Sequence, residues 1–167
     1  MTPAARILSE LNFGFLGPYK IAGMSEPDRR QIHQTHALLR SQGIGAIMTV
    51  TEDDLYGVLH RQAGFRHHHE PIDDTEPPTV GGMDRALAFI DTCLASGTGV
   101  AVHCLAGRGR TGTVLCAWLG RRECLSPEDA IRRISELRWQ TVLTERQREF
   151  LHCYLDGNGR GKAILSR

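Results

Sequence analysis

Gly99-Val100-Ala101-Val102-His103-Cys104-Leu105-Ala106-Gly107-Arg108-Gly109-Arg110-Thr111-Gly112 is the stretch from which the rest of the chain is read. Its first five residues are a short apolar run flanked by turn residues, the pattern of a buried core strand. A turn punctuated by Gly107 and Gly109 follows, and residues Thr111 to Arg122 read as a helix. The two glycines let the backbone fold into a tight cradle with its N–H groups turned inward. A helix opening near Thr111 adds the positive end of its dipole to the same spot. Such a place suits a phosphoryl group. Arg110, six positions after Cys104, offers a planar fork to two of its oxygens. The same converging groups favour thiolate over thiol at Cys104, and a thiolate is a nucleophile.

The remaining positions of the loop find roles around that pair. Leu105, Ala106, Gly107, Arg108, Gly109 and Arg110 form the phosphate-binding turn. Thr111 is placed to donate a hydroxyl hydrogen bond to the sulfur and ease its departure from a phosphorylated intermediate. His103 is placed to bond backbone groups and fix the loop, and Arg108 to add positive charge at the rim.

Outward from this centre, strands alternate with helices, which predicts an α/β fold with a central, mostly parallel sheet of four to five strands flanked by helices. Residues 2–11 suit a short helix, and Phe13–Leu16 and Tyr19–Ala22 suit short strands separated by the turn pair Gly17-Pro18. Ser25 is read as the cap of a helix from about Pro27 to Gln42. Ile44–Val50 and Phe65–Glu70 read as strands, Glu52–Ala63 and Met83–Leu94 as helices. Ser126-Pro127-Glu128 is a cap with proline at the first helical position, and a last helix is expected over 144–155. No repeat or linker divides the chain, so residues 1–167 are read as one domain, with 157–167 a loose glycine-rich tail.

Composition bounds the rest. The chain of 167 residues is 41% hydrophobic and 23% charged, a soluble, globular balance with room for a core. Its charge is uneven: residues 1–103 carry 8 basic against 12 acidic side chains, and 104–167 carry 12 against 7. A positive field in the second half suits an anionic substrate, while the near-balanced total argues against nucleic-acid binding. No apolar run is long enough to span a bilayer, and the first residues lack a signal-peptide pattern, so an intracellular, cytoplasmic protein is expected. The five cysteines form neither a zinc spacing nor an even disulfide set; Cys93, Cys116 and Cys153 are read as small core residues. His67-His68-His69 is read as strand-end histidines near the substrate rim, since at most His67 and His69 share a face and no partner completes a metal site. Trp118 and Trp139 are read as packing residues. Glu52 either pairs with Arg110 or sits as a surface acid.

His103 to Gly112 resembles the His-Cys-x5-Arg-Ser/Thr signature of the protein tyrosine phosphatase superfamily, in its compact dual-specificity branch. Asn12-Phe13, Ala22-Gly23-Met24 with Pro27, and Thr51-Glu52 look like the small atypical VH1-like enzymes of the VHZ type. The resemblance implies a phosphomonoester hydrolase working through a cysteinyl-phosphate, with no metal or organic cofactor, acting on phosphotyrosine and on phosphoserine or phosphothreonine in proteins; the sequence leaves the oligomeric state open, a monomer being the simpler expectation. Attack by the sulfur leaves an oxyanion that needs a proton, so a general acid should lie upstream. The family's pattern Pro-Ile-x-Asp-x-x-x-Pro is similar to Pro71-Ile72-Asp73-Asp74-Thr75-Glu76-Pro77-Pro78, which places Asp74 in that role, with Asp73 as the alternative. Gln147 resembles the glutamine that positions the hydrolytic water or packs beside the loop. The family's usual Arg-Pro after the penultimate helix reads here as Arg138-Trp139. Rival readings are a phosphoinositide or other small polyanion phosphatase, a non-catalytic phosphate-binding module and a rhodanese-like sulfur transferase. The last has no use for Asp74 or Thr111.

Overall fold

The structure, a computed structural model, describes residues 2–158. Its elements in chain order are α1 (Pro3–Glu10), β1 (Gly14–Phe15), β2 (Ile21–Met24), a 3-10 turn (Arg29–Gln31), α2 (Ile32–Ser41), β3 (Ile44–Thr49), α3 (Gly57–Gln62), β4 (Arg66–His69), α4 (Val80–Ala95), β5 (Gly99–His103), α5 (Gly109–Glu123), α6 (Pro127–Leu137) and α7 (Glu145–Asn158). Helix starts follow side-chain chemistry. The hydroxyls of Thr2, Thr79 and Ser126 accept from the N–H groups of Ala5, Gly82 and Asp129, capping α1, α4 and α6.

The five strands lie in the order β1-β2-β5-β3-β4. Only β1 runs antiparallel to its neighbour; β2, β5, β3 and β4 are parallel. Alternate residues face opposite sides. Val100 and Val102 of β5 and Ala46 and Met48 of β3 join the core under α4 to α7, whereas Ala101 and Ile47 join the one under α1, α2 and the α3–β4 turn. Helix α5 is buried on every side from Arg110 to Gly120, which makes it the central helix of its layer. Because four strands are parallel, the loops after β2, β5, β3 and β4 all emerge at one edge of the sheet. In open α/β sheets that edge holds the ligand crevice.

Two expected helices differ. No helix begins at Pro27; Asp28, not Ser25, caps the 3-10 turn by accepting from Arg30 N–H, and α2 starts only at Ile32. Helix α3 is confined to Gly57–Gln62, because residues 51–56 form a loop in which the Thr51 hydroxyl donates to the Asp53 carbonyl. A serine or threonine that satisfies nearby backbone in this way competes with helix. The tail expected over 157–167 lies, beyond Asn158, outside the described residues. No helix among the described residues is long and apolar enough to cross a membrane.

Candidate active site

The turn between β5 and α5 closes around Cys104, which is 3% exposed. Gly107 has φ +68, and a Cβ there would lie 2.4 Å from the Met24 carbonyl oxygen, so both conformation and contact exclude a side chain. Five consecutive carbonyls of the turn are each held by a donor. His103 Nδ1 donates to Cys104 O at 3.3 Å, Glu26 N to Leu105 O at 3.0 Å and Asn12 Nδ2 to Ala106 O at 3.4 Å. Arg138 Nη1 donates to Gly107 O at 3.1 Å, and Gly112 N to Arg108 O at 3.0 Å. With the carbonyls engaged outward, the N–H groups of Leu105 to Arg108 make no backbone bond among the described residues. Helix α5 has no side-chain cap at Arg108, so its own first N–H groups point at the same space.

Arg138 is the residue whose part here the sequence did not disclose. Its guanidinium is 2% exposed, donates to Gly107 O and to Asn12 O (2.7 Å), and lies over Gly14 and Gly23. Burial lowers it to about 10, opposed by the Cys104 sulfur. A charged side chain is seldom buried unless paired, and two strand glycines lacking side chains make the room. The signal for it lay in Gly14 and Gly23, far away in the chain. The neighbouring Trp139, expected to pack, is 80% exposed, whereas Trp118 is buried at 4% and Arg138 at 2%.

Arg110 is 4% exposed and fixed from the β3 side. Its Nη1 donates to Glu52 Oε2 (2.6 Å) and to the Ile72 carbonyl (3.0 Å), and Nη2 lies 3.3 Å from Asp74 Oδ1. Glu52 therefore belongs to the site, and backbone hydrogen bonding, then the bond from Arg110, holds its carboxyl below the usual range. Its second oxygen accepts from Asp74 N–H at 2.8 Å. Asp74 is brought to the cradle; Asp73 has no side-chain contact with it among the described residues. Glu26 brings a carboxyl from the β2 side, raised by burial and opposed by Arg110.

Thr111 Oγ1 is buried with no hydrogen-bond partner among the described residues, so the expected bond to Cys104 is not made. Gln147, 1% exposed, lies against the turn, where a Cβ on Gly109 would stand 3.1 Å from its Oε1, while its hydrogen bonds go to other segments. Its Oε1 accepts from Thr144 N at 3.0 Å, its own N–H donates to Thr144 Oγ1 at 3.2 Å, and its Nε2 donates to Glu76 O at 3.1 Å. This is a capping box at the start of α7, and its spacing, Thr144-x-x-Gln147, stands in the sequence.

Of the histidine run, His67 is buried away from the rim, while His69 Nε2 donates to the Thr51 carbonyl at 2.8 Å, next to Glu52 of the site. His103 is buried and lowered to about 4 by burial, so the ring is neutral. A carbonyl only accepts, hence His103 Nδ1 carries the hydrogen and Nε2 accepts from Thr49 Oγ1 at 2.9 Å. The Thr49 oxygen then accepts from His67 Nε2 at 3.1 Å, and His67 Nδ1 accepts from Arg61 Nη1 at 3.0 Å. Behind this relay His60 is pushed down to about 3 by burial, and its Nδ1 lies 2.9 Å from His36 Nε2. No group of three or more His, Cys, Asp or Glu side chains among the described residues is placed to hold a metal ion. Cys93 and Cys116 are core residues as expected, but Cys153 is exposed.

Known proteins bear on this arrangement. A family model described as "Polymorphic toxin system, DSP-PTPase phosphatase" matches residues 22–123. Cyclin-dependent kinase inhibitor 3 of Mus musculus is 31% identical over 160 residues, covering 89% of this chain and 76% of its own. The chain spans 56% of each of two relatives from Methanocaldococcus jannaschii, at 40% and 41% identity. Among solved structures, Tk-PTP in the active form superimposes with a TM-score of 0.77 at 26% identity, over 87% of this chain and 97% of that one. PTPMT1 in complex with PI(5)P shares the fold, with a TM-score of 0.76 at 22% identity over 87% and 95% of the two chains.

Proposed function

Since the chain belongs to the cysteine-dependent protein tyrosine phosphatase superfamily, in its atypical dual-specificity branch, and is a phosphatase, we propose that it dephosphorylates phosphotyrosine, and phosphoserine or phosphothreonine, in proteins through a cysteinyl-phosphate. The observation that carries this reading is the meeting of three groups. The N–H groups of Leu105 to Arg108, which follow Cys104 directly, make no backbone bond among the described residues, Arg110 is buried six positions after that cysteine, and Asp74 lies 3.3 Å from the arginine.

In the first step the Cys104 sulfur attacks phosphorus and the bond to the ester oxygen breaks. The amides of Leu105 to Arg110 and the arginine fork bear the charge of the equatorial oxygens. Arg110 Nη1 is already bound to Glu52 and Ile72, so the phosphoryl group takes the edge formed by Nε and Nη2, drawing Nη2 away from Asp74. Asp74 gives its proton to the departing oxygen. In the second step Asp74, now a base, takes a proton from water, whose oxygen attacks phosphorus and releases phosphate and the sulfur. Thr111, with its hydroxyl unpartnered, turns to the departing sulfur at that moment. Gln147 supports the loop through Glu76 and Thr144.

A second reading, a phosphoinositide or small polyanion substrate, is favoured by Arg108, exposed on the loop and in no ion pair among the described residues, and by the likeness to PTPMT1. Glu26 beside the cradle weighs against a polyanion. The test is turnover by the purified protein on phosphotyrosyl and phosphoseryl peptides and on phosphoinositide vesicles, with Cys104→Ser as control. Peptide turnover exceeding lipid turnover supports the first reading; the reverse order overturns it. Retained turnover in Cys104→Ser removes the sulfur from the mechanism.

A further inference from the structure

Residues 73–77, which carry Asp74, form a bridge between the buried anchors Ile72 and Pro78, exposed at 73–75 and half-buried at Glu76 and Pro77. The bridge is tied from two sides. On the β3 side, Glu52 Oε1 accepts from Asp74 N–H at 2.8 Å. On the far side three residues at the start of α7 reach it. Thr144 Oγ1 donates to the Thr75 carbonyl at 2.8 Å, Gln147 Nε2 donates to the Glu76 carbonyl at 3.1 Å, and Arg146 Nη1 pairs with Glu76 Oε1 at 2.5 Å. Between the ties Thr75 has φ 64, a left-handed conformation that a β-branched residue keeps only where its surroundings hold it.

The three contacts differ in weight. Arg146 is 71% exposed and its pair is open to solvent, so it contributes little. Gln147 is 1% exposed, and Thr144 uses its hydroxyl twice, donating to Thr75 O and accepting from Gln147 N–H. The capping box that starts α7 therefore also holds the loop over the catalytic turn. It fixes the height of Asp74 through the peptide groups on its C-terminal side, as Glu52 does through its N–H.

We propose that Thr144 and Gln147 are positioning residues for the general acid, holding the loop docked so that Asp74 meets the leaving oxygen without a separate closing movement. This rests on Asp74 being the acid. Positioned acids matter most when the leaving group is poor, because a good one departs unprotonated. A contact that only stabilises the fold would not separate the two kinds of substrate.

The experiment compares kcat/KM, which reports the step in which the leaving group departs, on para-nitrophenyl phosphate, a good leaving group, and on phenyl phosphate, a poor one. The variants are Thr144→Val, Thr144→Ser, Gln147→Glu, Asp74→Asn and Asp74→Asn combined with Thr144→Val. Gln147→Glu keeps an acceptor for Thr144 N–H, and hence the cap, while turning the donor facing Glu76 O into an acceptor. Thr144→Val and Gln147→Glu are each expected to lower kcat/KM about 10-fold on phenyl phosphate and under about 3-fold on para-nitrophenyl phosphate, a fraction of what a complete general acid supplies. Thr144→Ser is expected to restore both rates, and in the Asp74→Asn background Thr144→Val is expected to add no further leaving-group effect. Equal losses on the two substrates, or the same selective loss with Asp74 already removed, overturn the proposal. Asp74→Asn alone reports on the prior reading: if it leaves the ratio of the two rates unchanged, the acid is elsewhere and the inference falls with it.

Discussion

Gly23→Ala probes the support beneath the catalytic turn. A Cβ at Gly23 would stand 2.6 Å from both Cζ and Nη1 of Arg138, a separation no pair of carbons sustains. Gly23 lies in β2, hydrogen-bonded to β5 on one side and β1 on the other, so the guanidinium must move instead. Moving it breaks the bonds to Gly107 O and Asn12 O. Hydrogen bonds to a charged group contribute about 1.5–3 kcal/mol each, giving a loss of about 3 kcal/mol at the low end. Replacing glycine by alanine recovers about 0.4–1 kcal/mol by restricting the unfolded chain. A net destabilisation of about 2 kcal/mol corresponds to a Tm lower by about 4–8 °C in a domain of this size. Because Gly107 O loses its donor, kcat/KM is expected to fall about 10-fold, equivalent to about 1.4 kcal/mol of transition-state stabilisation. Gly14→Ala is the control, since its Cβ would meet Arg138 Nε at 3.6 Å, an ordinary contact. Thermal unfolding by circular dichroism and steady-state rates on para-nitrophenyl phosphate read both effects. If Gly23→Ala matches the parent in Tm and rate, or Gly14→Ala suffers equally, Arg138 does not hold the turn as described.

Three other perturbations test the site and its frame. Glu52→Gln keeps the shape but removes the charge facing Arg110; kcat/KM is expected to drop about 10- to 100-fold, the scale of one charge-assisted bond, and an unchanged value would show that Arg110 orients itself. Asp74→Asn is expected to flatten the alkaline limb of the pH–rate profile, where an acid loses its proton, while Asp73→Asn leaves it in place; the opposite pattern moves the acid by one residue. His36, His60, His67 and His103 are all lowered by burial, His60 to about 3 and His103 to about 4. The unfolded chain takes up protons on these rings below about pH 6.5 while the folded one does not. Stability is thus full above about pH 6.5 and is lost as pH falls toward 4, by up to about 1.4 kcal/mol per pH unit for each ring. Urea midpoints at pH 7.5, 6 and 5 that stay level would contradict this.

The strand, turn and helix around Cys104 were legible because their signals are local: an apolar run, two glycines and an arginine at fixed spacing. The cap at Ser126 was legible for the same reason. The parallel sheet followed from alternation of elements. Where the reading fell short, the deciding partner lies far along the chain. Arg138 stands at the family's Arg-Pro position, but its role stays hidden until Gly14 and Gly23 are seen to leave it a slot. His67 looks like a rim residue until register pairs it with Ile47, beside Thr49. Glu52 could be read two ways because its choice depends on Arg110, 58 positions later. The missing helical turns before Gly57 reflect side chains satisfying backbone locally, a competition that hydrophobic periodicity does not register.

The ring of engaged carbonyls has an implication for how such an enzyme diversifies. Donors from the β1 approach, the β2 loop, the strand end, the α6–α7 connection and α5 each pin one peptide of the turn. A mould gripped from five directions treats every phosphate ester alike and leaves little freedom for drift. Appetite for one ester over another must then be written in the side chains that project beyond it, Leu105 and Arg108 foremost. Those two positions can vary while the mould stays the same.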